Sequence, residues 1–190
     1  METTTSPSQE REQRFRAIYD AVYVDLLRFV RRRVHPTHAE DVVGDVMLVA
    51  WRRLEDVPAD PSAARAWLFG VARKTLLSTR RREDRHDAMA VRLAGERWGP
   101  ADRGGDPDLV ARRVDVAAAW PHLSASEQET ITLSVLDGLS GPEAAAVLGI
   151  SPTAFRLRLS RARRTLRRRL DPTTTGGPVP DPTAPERSLR

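Results

Sequence analysis

The segment between Ser151 and Leu170 is rich in arginine, and no acidic residue occurs in it before Asp171. Guanidinium groups stay charged and bind phosphate oxygens, so a helix that carries them in excess fits a polyanion such as nucleic acid. Leu159 and Leu166 fall on a different face of the same helix, which indicates that this helix also packs on a core. The alternative is a solvated basic helix end whose charge partly satisfies the helix dipole.

The residues before this helix predict a helix-turn-helix. Ser140 and Glu143 form a capping box that opens a short helix, and Gly149 ends it. Ser151 then caps the arginine-rich helix, and Pro152 takes its first position. In such a motif the second helix enters the major groove, where its first residues meet base edges and its later arginines meet phosphates. The predicted DNA contacts are Ser151, Thr153, Arg156, Arg158, Ser160, Arg161, Arg163 and Arg164.

The whole chain is basic, with a net charge of +5 and a sequence pI near 10.7. This balance favours a polyanionic partner. Lys74 is the only lysine, and asparagine is absent. GC-rich coding imposes such a bias towards arginine. The positions of the arginines are therefore better evidence for a nucleic-acid partner than their number. The chain has no cysteine, which excludes disulfides, thiolate metal sites and cysteine nucleophiles and suits a reducing cytoplasm.

The sequence favours neither a membrane protein nor an enzyme. No apolar run approaches the roughly 20 residues that span a bilayer, and the polar N-terminus lacks a signal-peptide stretch. We therefore expect a cytoplasmic protein without membrane insertion. Phosphate-binding glycine loops, zincin motifs and nucleophile elbows are absent. His35 and His38 are separated by Pro36, and no acid or cysteine completes a metal site. We expect no catalysis, no metal and no cofactor.

Helical periodicity runs along the chain without an alternating strand pattern, so the predicted fold class is all-α. Three helices are predicted in the first half of the chain. The first covers 13–34, the second runs from a capping box at Thr37 and Glu40 to about Leu54, and the third covers 63–82. Each helical module is small and marginally stable alone, so docking on a partner matters. The predicted units are a disordered N-terminus (1–12), a three-helix module (13–83), a flexible linker (84–107), a four-helix module with the helix-turn-helix (108–170) and a disordered tail (171–190).

The second predicted helix has a mixed face beside its buried stripe. Asp41 and Asp45 lie next to the apolar Leu48 and Trp51, and acids beside exposed apolar groups are typical of a protein interface. An ordinary amphipathic helix explains the pattern equally well. Gly44 interrupts this helix and costs it about 1 kcal/mol relative to alanine.

Taken together, these segments resemble a known family. Gly138–Ala145, Leu148–Ser151 and Arg158–Arg163 are similar to the fourth domain of the extracytoplasmic-function sigma factors of bacterial RNA polymerase. In that family this domain reads the minus-thirty-five promoter element through the second helix of the helix-turn-helix. The commonest family version has Gly-Thr-Val where this chain has Thr153-Ala154-Phe155, and serine where it has Leu157.

The N-terminal half resembles the same family in a separate block. Ala39–Arg52 looks like the sigma segment that binds the clamp of the polymerase beta-prime subunit, except that Gly44 replaces the usual glutamine. The resemblance implies clamp contacts at Asp41, Val42, Asp45, Leu48 and Trp51.

Ala66–Lys74 resembles the sigma segment that opens and holds the minus-ten element, and 56–64 resembles the loop that captures a flipped base. Lys74 and Ser78 stand where the family usually has asparagine and aspartate. For Trp67 we expect core packing rather than DNA contact. The resemblance implies minus-ten contacts at Asp60, Ser62, Arg73, Lys74, Arg80 and Arg81.

The resemblance implies a sigma factor that binds core RNA polymerase and promoter DNA and that an anti-sigma factor often masks. Two alternatives stay open. A helix-turn-helix regulator acting without polymerase needs a self-association helix, and the sequence shows no spare one. An interaction module without promoter activity is the other, favoured by the departures at Ala154, Leu157, Lys74 and Ser78.

Overall fold

The computed structural model describes residues 6–83 and 114–170, and for 79–83 it describes the backbone alone. The first range, called the N-terminal module below, contains the helices α1 (Pro7–Arg31), α2 (Ala39–Arg52) and α3 (Pro61–Glu83). Short 3-10 turns, Pro36–His38 and Leu54–Asp56, join them.

The second range, called the C-terminal module below, begins with helical residues 114–119 and the 3-10 turn Trp120–His122. Helix α4 (Ala125–Ile131) continues as a π-helical turn over Thr132–Leu136, and α5 (Gly141–Leu148) and α6 (Pro152–Leu170) follow. The described residues contain helices and no strand, which confirms the all-α fold class. The predicted linker (84–107), the tail (171–190) and the start of the predicted helix at Asp108 lie outside the described residues.

The start of α1 differs from the prediction, which placed residues 1–12 in a disordered segment. The helix begins at Pro7, and the backbone N–H of Ser6 donates to Gln9 Oε1 at 3.0 Å. Serine before a first-position proline is a helix-start signal. The prediction missed it because the first turns of α1 carry no buried apolar residue.

The start of α2 also differs from the prediction. Thr37 lies within the 3-10 turn, and its Oγ1 is 2.8 Å from His35 Nδ1 rather than on a helix N–H. The helix therefore begins at Ala39, without a side-chain cap. Proline at the first position of the 3-10 turn fixes this tighter path.

The predicted caps of the C-terminal module are confirmed. The side-chain oxygens of Ser124, Ser140 and Ser151 accept from backbone N–H groups three residues ahead, at 3.4, 3.4 and 3.1 Å. Gly149 ends α5 at φ +67°, a left-handed conformation that favours glycine, and so turns the chain into α6.

One cluster of buried apolar side chains spans the two modules. Leu26 and Phe29 of α1 and Phe69 of α3 belong to it, and so do Leu133 and Phe155 of the C-terminal module. Helix α5 packs against α3 and against α6. The small apolar cores predicted for the separate modules are thus packed against each other. In the described part of the chain, no helix has the length and apolar character needed to cross a membrane.

Candidate nucleic-acid interface

Helix α6 turns one face to the core and its arginines to the solvent. Phe155 and Ala162 are buried, at 1% and 0% exposure, and Leu159 packs beside them. These contacts fix the rotation of the helix. Of the predicted DNA-contacting residues on and before α6, Arg158 is half-buried and the exposed ones are Ser151, Thr153, Arg156, Ser160, Arg161, Arg163 and Arg164.

The exposed face of α6 is strongly basic and open to an anion. Across residues 6–83 and 114–170, no acidic side chain lies within ion-pair distance of an α6 arginine. Arg156 donates to Thr153 Oγ1 at 3.2 Å, which holds its guanidinium beside the first turn of the helix. Helix α5 packs against α6, and the Gly149 turn joins the two helices. The arginines of α6 are therefore exposed on a supported helix, as in a helix that binds the major groove of DNA.

The predicted minus-ten residues extend from just before the start of α3 to its last turns. Asp60 accepts the backbone N–H of Ala63 at 2.8 Å and so caps the helix, while the side chain of Lys74 is exposed. Arg80 and Arg81 belong to the last turns of α3, where the side chains are not described.

Ser62 and Arg73 of the predicted minus-ten set contact the C-terminal module. Arg73 makes a two-pronged ion pair with Glu129, with Nε and NH2 at 2.7 and 3.1 Å from the carboxylate oxygens. The Ser62 hydroxyl hydrogen-bonds the carboxylate of Glu143. Both side chains are thus already engaged by acids of the other module.

The Glu143 carboxylate is held in its charged form. Burial opposes ionisation, but hydrogen bonds from Ser140 and Ser62 and the charge of Arg65 outweigh it, so the pKa of Glu143 is lowered from its ordinary value of 4.5. Arg65 NH1 lies 3.7 Å from Glu143 Oε1.

The aromatic residues of α3 face inward. Phe69 is fully buried and meets Phe29 edge to face, with ring centroids 4.9 Å apart. Trp67 is half-buried and packs beside the small cluster that contains Leu54 and Val57. Its position agrees with the packing role expected for it.

The predicted clamp-binding residues on α2 divide into surface and core. Asp41, Asp45 and Leu48 are exposed, with Leu48 at 45%. Val42 is only 8% exposed and belongs to the core cluster, which corrects its assignment as a contact residue. Its position beside Asp41 in the sequence did not reveal that the helix turns it inward.

Trp51 is half-buried on the same helix. Phe15 meets its ring edge to face at 5.2 Å, and the guanidinium of Arg11 lies 5.0 Å from its ring centroid. The ring therefore lies where α2 meets α1, and it is partly exposed.

A buried charged cluster, which was not predicted, joins the residues just after α1 to Asp137 at the end of the π-helical turn. Arg33 NH2 lies 2.9 Å from Asp137 Oδ2, and Arg32 also pairs with the Asp137 carboxylate. Arg33 packs over the Phe29 ring at 3.6 Å and donates to the Phe29 carbonyl oxygen at 2.8 Å. The basic run after α1 was the available signal, but nothing in the sequence pointed to Asp137 as its partner.

In the part of the chain that the structure describes, no three histidine, cysteine or acidic side chains come together as metal ligands. His35 and His38 have ring centroids 6.3 Å apart. The site therefore consists of helices that present arginines, hydroxyls and a mixed acidic and apolar surface.

Comparisons with known proteins agree with this geometry. The model of sigma-70 region 2 matches residues 18–86, and the model of sigma-70 region 4 matches residues 113–166. The RNA polymerase sigma factor CnrH of Cupriavidus metallidurans is 36% identical over 71% of this chain and 74% of its own. The ECF RNA polymerase sigma factor SigL of Mycobacterium tuberculosis is 32% identical over 80% of this chain and 86% of its own.

Solved structures show the same architecture. One is CnrH in complex with the cytosolic domain of CnrY, with a TM-score of 0.55 and 28% identity over 84% of this chain and 89% of that one. Another is the sigma factor RpoE in complex with the anti-sigma factor NepR from Bartonella quintana, with a TM-score of 0.50 and 26% identity over 86% of this chain and 95% of that one.

The two helical modules and their matches define an RNA polymerase sigma factor. The chain belongs to the extracytoplasmic-function family of these factors. It binds core RNA polymerase and promoter DNA and directs promoter-specific transcription. A regulator that acts without polymerase does not need a sigma region 2, and this chain has one, so that alternative is not favoured.

Proposed function

We propose a division of labour among three surfaces of this sigma factor. The exposed face of α6 reads the minus-thirty-five element, α3 with the loop before it holds the minus-ten strand, and the exposed face of α2 binds the polymerase clamp. The observation that carries the proposal is the basic face of α6, which is braced by α5 and the Gly149 turn and faces no acid within the described residues.

The α6 assignment rests on the position of each side chain along the helix. Thr153 and Arg156 lie in its first turns, where a recognition helix meets base edges, and Arg163 and Arg164 lie further along, where phosphates run. Removing a phosphate-binding arginine weakens binding uniformly and lowers the salt slope by about 1, whereas removing a base-reading one also relaxes specificity.

The clamp assignment rests on exposed acids and apolar groups that lie close together on α2. Asp41 and Asp45 are exposed on the same helix as Leu48, an apolar residue that is 45% exposed. Apolar side chains of this kind next to charges favour a protein partner. Val42 is left out of this surface because it is buried.

The protein acts by binding rather than by catalysis, and its place is the cytoplasm, where its polymerase and promoters lie. An anti-sigma factor is a further proposed partner. The support is that the related RpoE was solved in complex with the anti-sigma factor NepR.

Transcription from genomic DNA with core RNA polymerase tests the proposal. We expect promoter-specific starts with the wild type, and weaker dependence on the minus-thirty-five element for Arg156→Ala. Arg16→Ala is the matched control, since it removes an exposed α1 arginine outside all three surfaces. Equal output from Arg156→Ala and Arg16→Ala at such promoters contradicts the α6 assignment. If the wild type binds polymerase but gives no promoter-specific starts, the result supports an interaction module without promoter activity.

A further inference from the structure

Two arginines near the start of α1 contact the segment that joins α2 to α3. Arg11 and Arg14 lie one helical turn apart on the same side of the helix. Arg11 NH2 donates to the Trp51 carbonyl oxygen at 2.7 Å, and Arg14 NH2 donates to the Val57 carbonyl oxygen at 2.6 Å. These two side chains, called the α1 arginine pair below, therefore hold the segment at two points on either side of its 3-10 turn.

Both acceptors are carbonyl groups that need a partner. Trp51 lies in the last turn of α2, where helix carbonyl groups lack a partner within the helix. Val57 is buried, and a buried carbonyl group without a hydrogen bond lowers stability. Guanidinium donors make short charge-assisted hydrogen bonds, which are stronger than neutral ones. The α1 arginine pair thus fixes the backbone of the segment rather than only its side chains.

The same arginines also lie near an acidic side chain of the segment. Each oxygen of the Glu55 carboxylate faces one of them, at 3.6 Å from Arg11 NH1 and 3.8 Å from Arg14 NH1. The Glu55 side chain is 79% exposed, so solvent weakens both ion pairs. The hydrogen bonds to the backbone are therefore the stronger part of this contact.

The loop that follows is held at both ends and open in between. Val57 and Ala64 are buried in one small cluster, and Phe15 of α1 packs against it. Asp60 caps α3 through the backbone N–H of Ala63. Between the two buried residues, 59–63 are exposed. The exposed part of the loop is thus accessible to a ligand while its ends are fixed.

We propose that the α1 arginine pair positions the loop before α3 for the minus-ten strand, with Arg14 as the main positioning residue. This inference rests on the proposed role of that loop in minus-ten binding. A loop that must become ordered during binding reduces affinity, and a loop already held in its bound shape avoids this loss. The loss applies only to a strand that engages the loop. The pair should therefore act on the preference for the correct strand more than on binding of DNA in general.

Binding of short single strands to the holoenzyme, assembled from the full chain and core polymerase, tests this. One fluorescent probe is the better-bound strand of the minus-ten element from a promoter that the transcription assay identifies. The other probe has the same bases in scrambled order. The ratio of the two dissociation constants measures the preference and does not depend on the fraction of active protein. Arg14→Ala should lower this ratio at least about threefold.

Three variants separate positioning from general stability. Arg16→Ala removes an exposed arginine of the same helix outside the pair and should leave the ratio unchanged. Glu55→Gln removes only the exposed ion pairs and should lower the ratio less than Arg14→Ala does. Arg14→Lys keeps a cationic donor for the carbonyl oxygen and should restore most of the ratio.

A loss of stability alone weakens both probes equally and leaves the ratio as it is. An unchanged ratio in Arg14→Ala, or an equal fall in Arg16→Ala, overturns the proposal. A ratio as low in Arg14→Lys as in Arg14→Ala contradicts a role for the donated hydrogen bond.

Amide hydrogen exchange of the full chain without polymerase gives a second readout. The Val57 N–H donates to the Leu54 carbonyl oxygen at 3.2 Å within the held segment. In Arg14→Ala this N–H should exchange at least about threefold faster, because the segment opens more easily. The Phe155 N–H at the start of α6 should exchange at the wild-type rate and so shows that the fold is intact. Equal protection of the Val57 N–H in Arg14→Ala and in the wild type contradicts the proposal.

The proposed function and this inference fail in different ways. If the wild-type holoenzyme binds the native and scrambled strands equally, the minus-ten role of the loop fails, and the positioning role fails with it. If the wild type prefers the native strand and Arg14→Ala keeps that preference, the proposed function stands and the α1 arginine pair has a structural role alone.

Discussion

Single side chains in this molecule serve structure and binding together. Glu143 caps α5 through Ser140, approaches Arg65 and hydrogen-bonds Ser62. Asp60 similarly caps α3 while it lies in the loop that is expected to meet DNA. A substitution at such a residue changes folding and binding at once, so neutral replacements of equal shape are the informative ones.

Glu143 should make stability depend on pH. Its folded pKa is lowered from the ordinary value of 4.5, so its charge stabilises the fold above that value, and this contribution is lost as the pH falls through the folded pKa. Glutamine keeps the capping geometry without the charge. The difference in unfolding free energy between wild type and Glu143→Gln should therefore be largest near neutral pH and shrink in acid. Urea titrations at several pH values measure it, and a constant difference contradicts the expectation.

The helix starts of the C-terminal module were the most predictable features, because a local signal sets them. The serines that cap α4, α5 and α6 act on N–H groups three residues ahead, a distance that a sequence displays directly. The start of α2 was mispredicted although Thr37 and Glu40 have capping-box spacing, because Pro36 imposes a 3-10 turn there. The π-helical turn over Thr132–Leu136 has no sequence signature of this kind.

Gly44 gives a prediction for α2. It is exposed in mid-helix, and a Cβ placed there has nothing within 4 Å. Gly44→Ala should raise the unfolding free energy by roughly 0.5–1 kcal/mol, because alanine restricts the unfolded chain and favours the helix.

Gly149→Ala is the contrasting control for Gly44→Ala. The backbone at Gly149 has φ +67°, where a side chain is strained, so this substitution should lower the unfolding free energy by about 1 kcal/mol or more. Thermal and urea denaturation measure both variants, and changes of the same sign contradict the argument.

Docking of the modules is the property of the whole molecule that the sequence did not disclose. Periodicity predicted the helices of both modules, but the Arg33–Asp137 pair joins positions 104 residues apart. Val42 shows the same limit on a smaller scale, because the matching family segment indicated an interface and the three-dimensional packing decided burial. The exposed arginines of α6 were predictable, since the helical period alone separates them from Phe155 and Ala162.

Asp137→Asn should test how much the docking stabilises the molecule. Its carboxylate is fully buried against Arg32 and Arg33, so the neutral amide removes the negative partner of a buried ion pair, at a cost of about 3–5 kcal/mol. Asp25→Asn is the control, because Asp25 pairs with Arg65 at 41% exposure and such pairs contribute about 1 kcal/mol or less. Urea denaturation measures both, and equal losses contradict a dominant role for Asp137.

The accessible face of α2 has a consequence for the order of assembly. Leu48 and the acids beside it are exposed while the modules are docked, so under the proposed clamp assignment the polymerase can bind the chain in this docked state. Clamp binding on this surface would then need no prior separation of the modules.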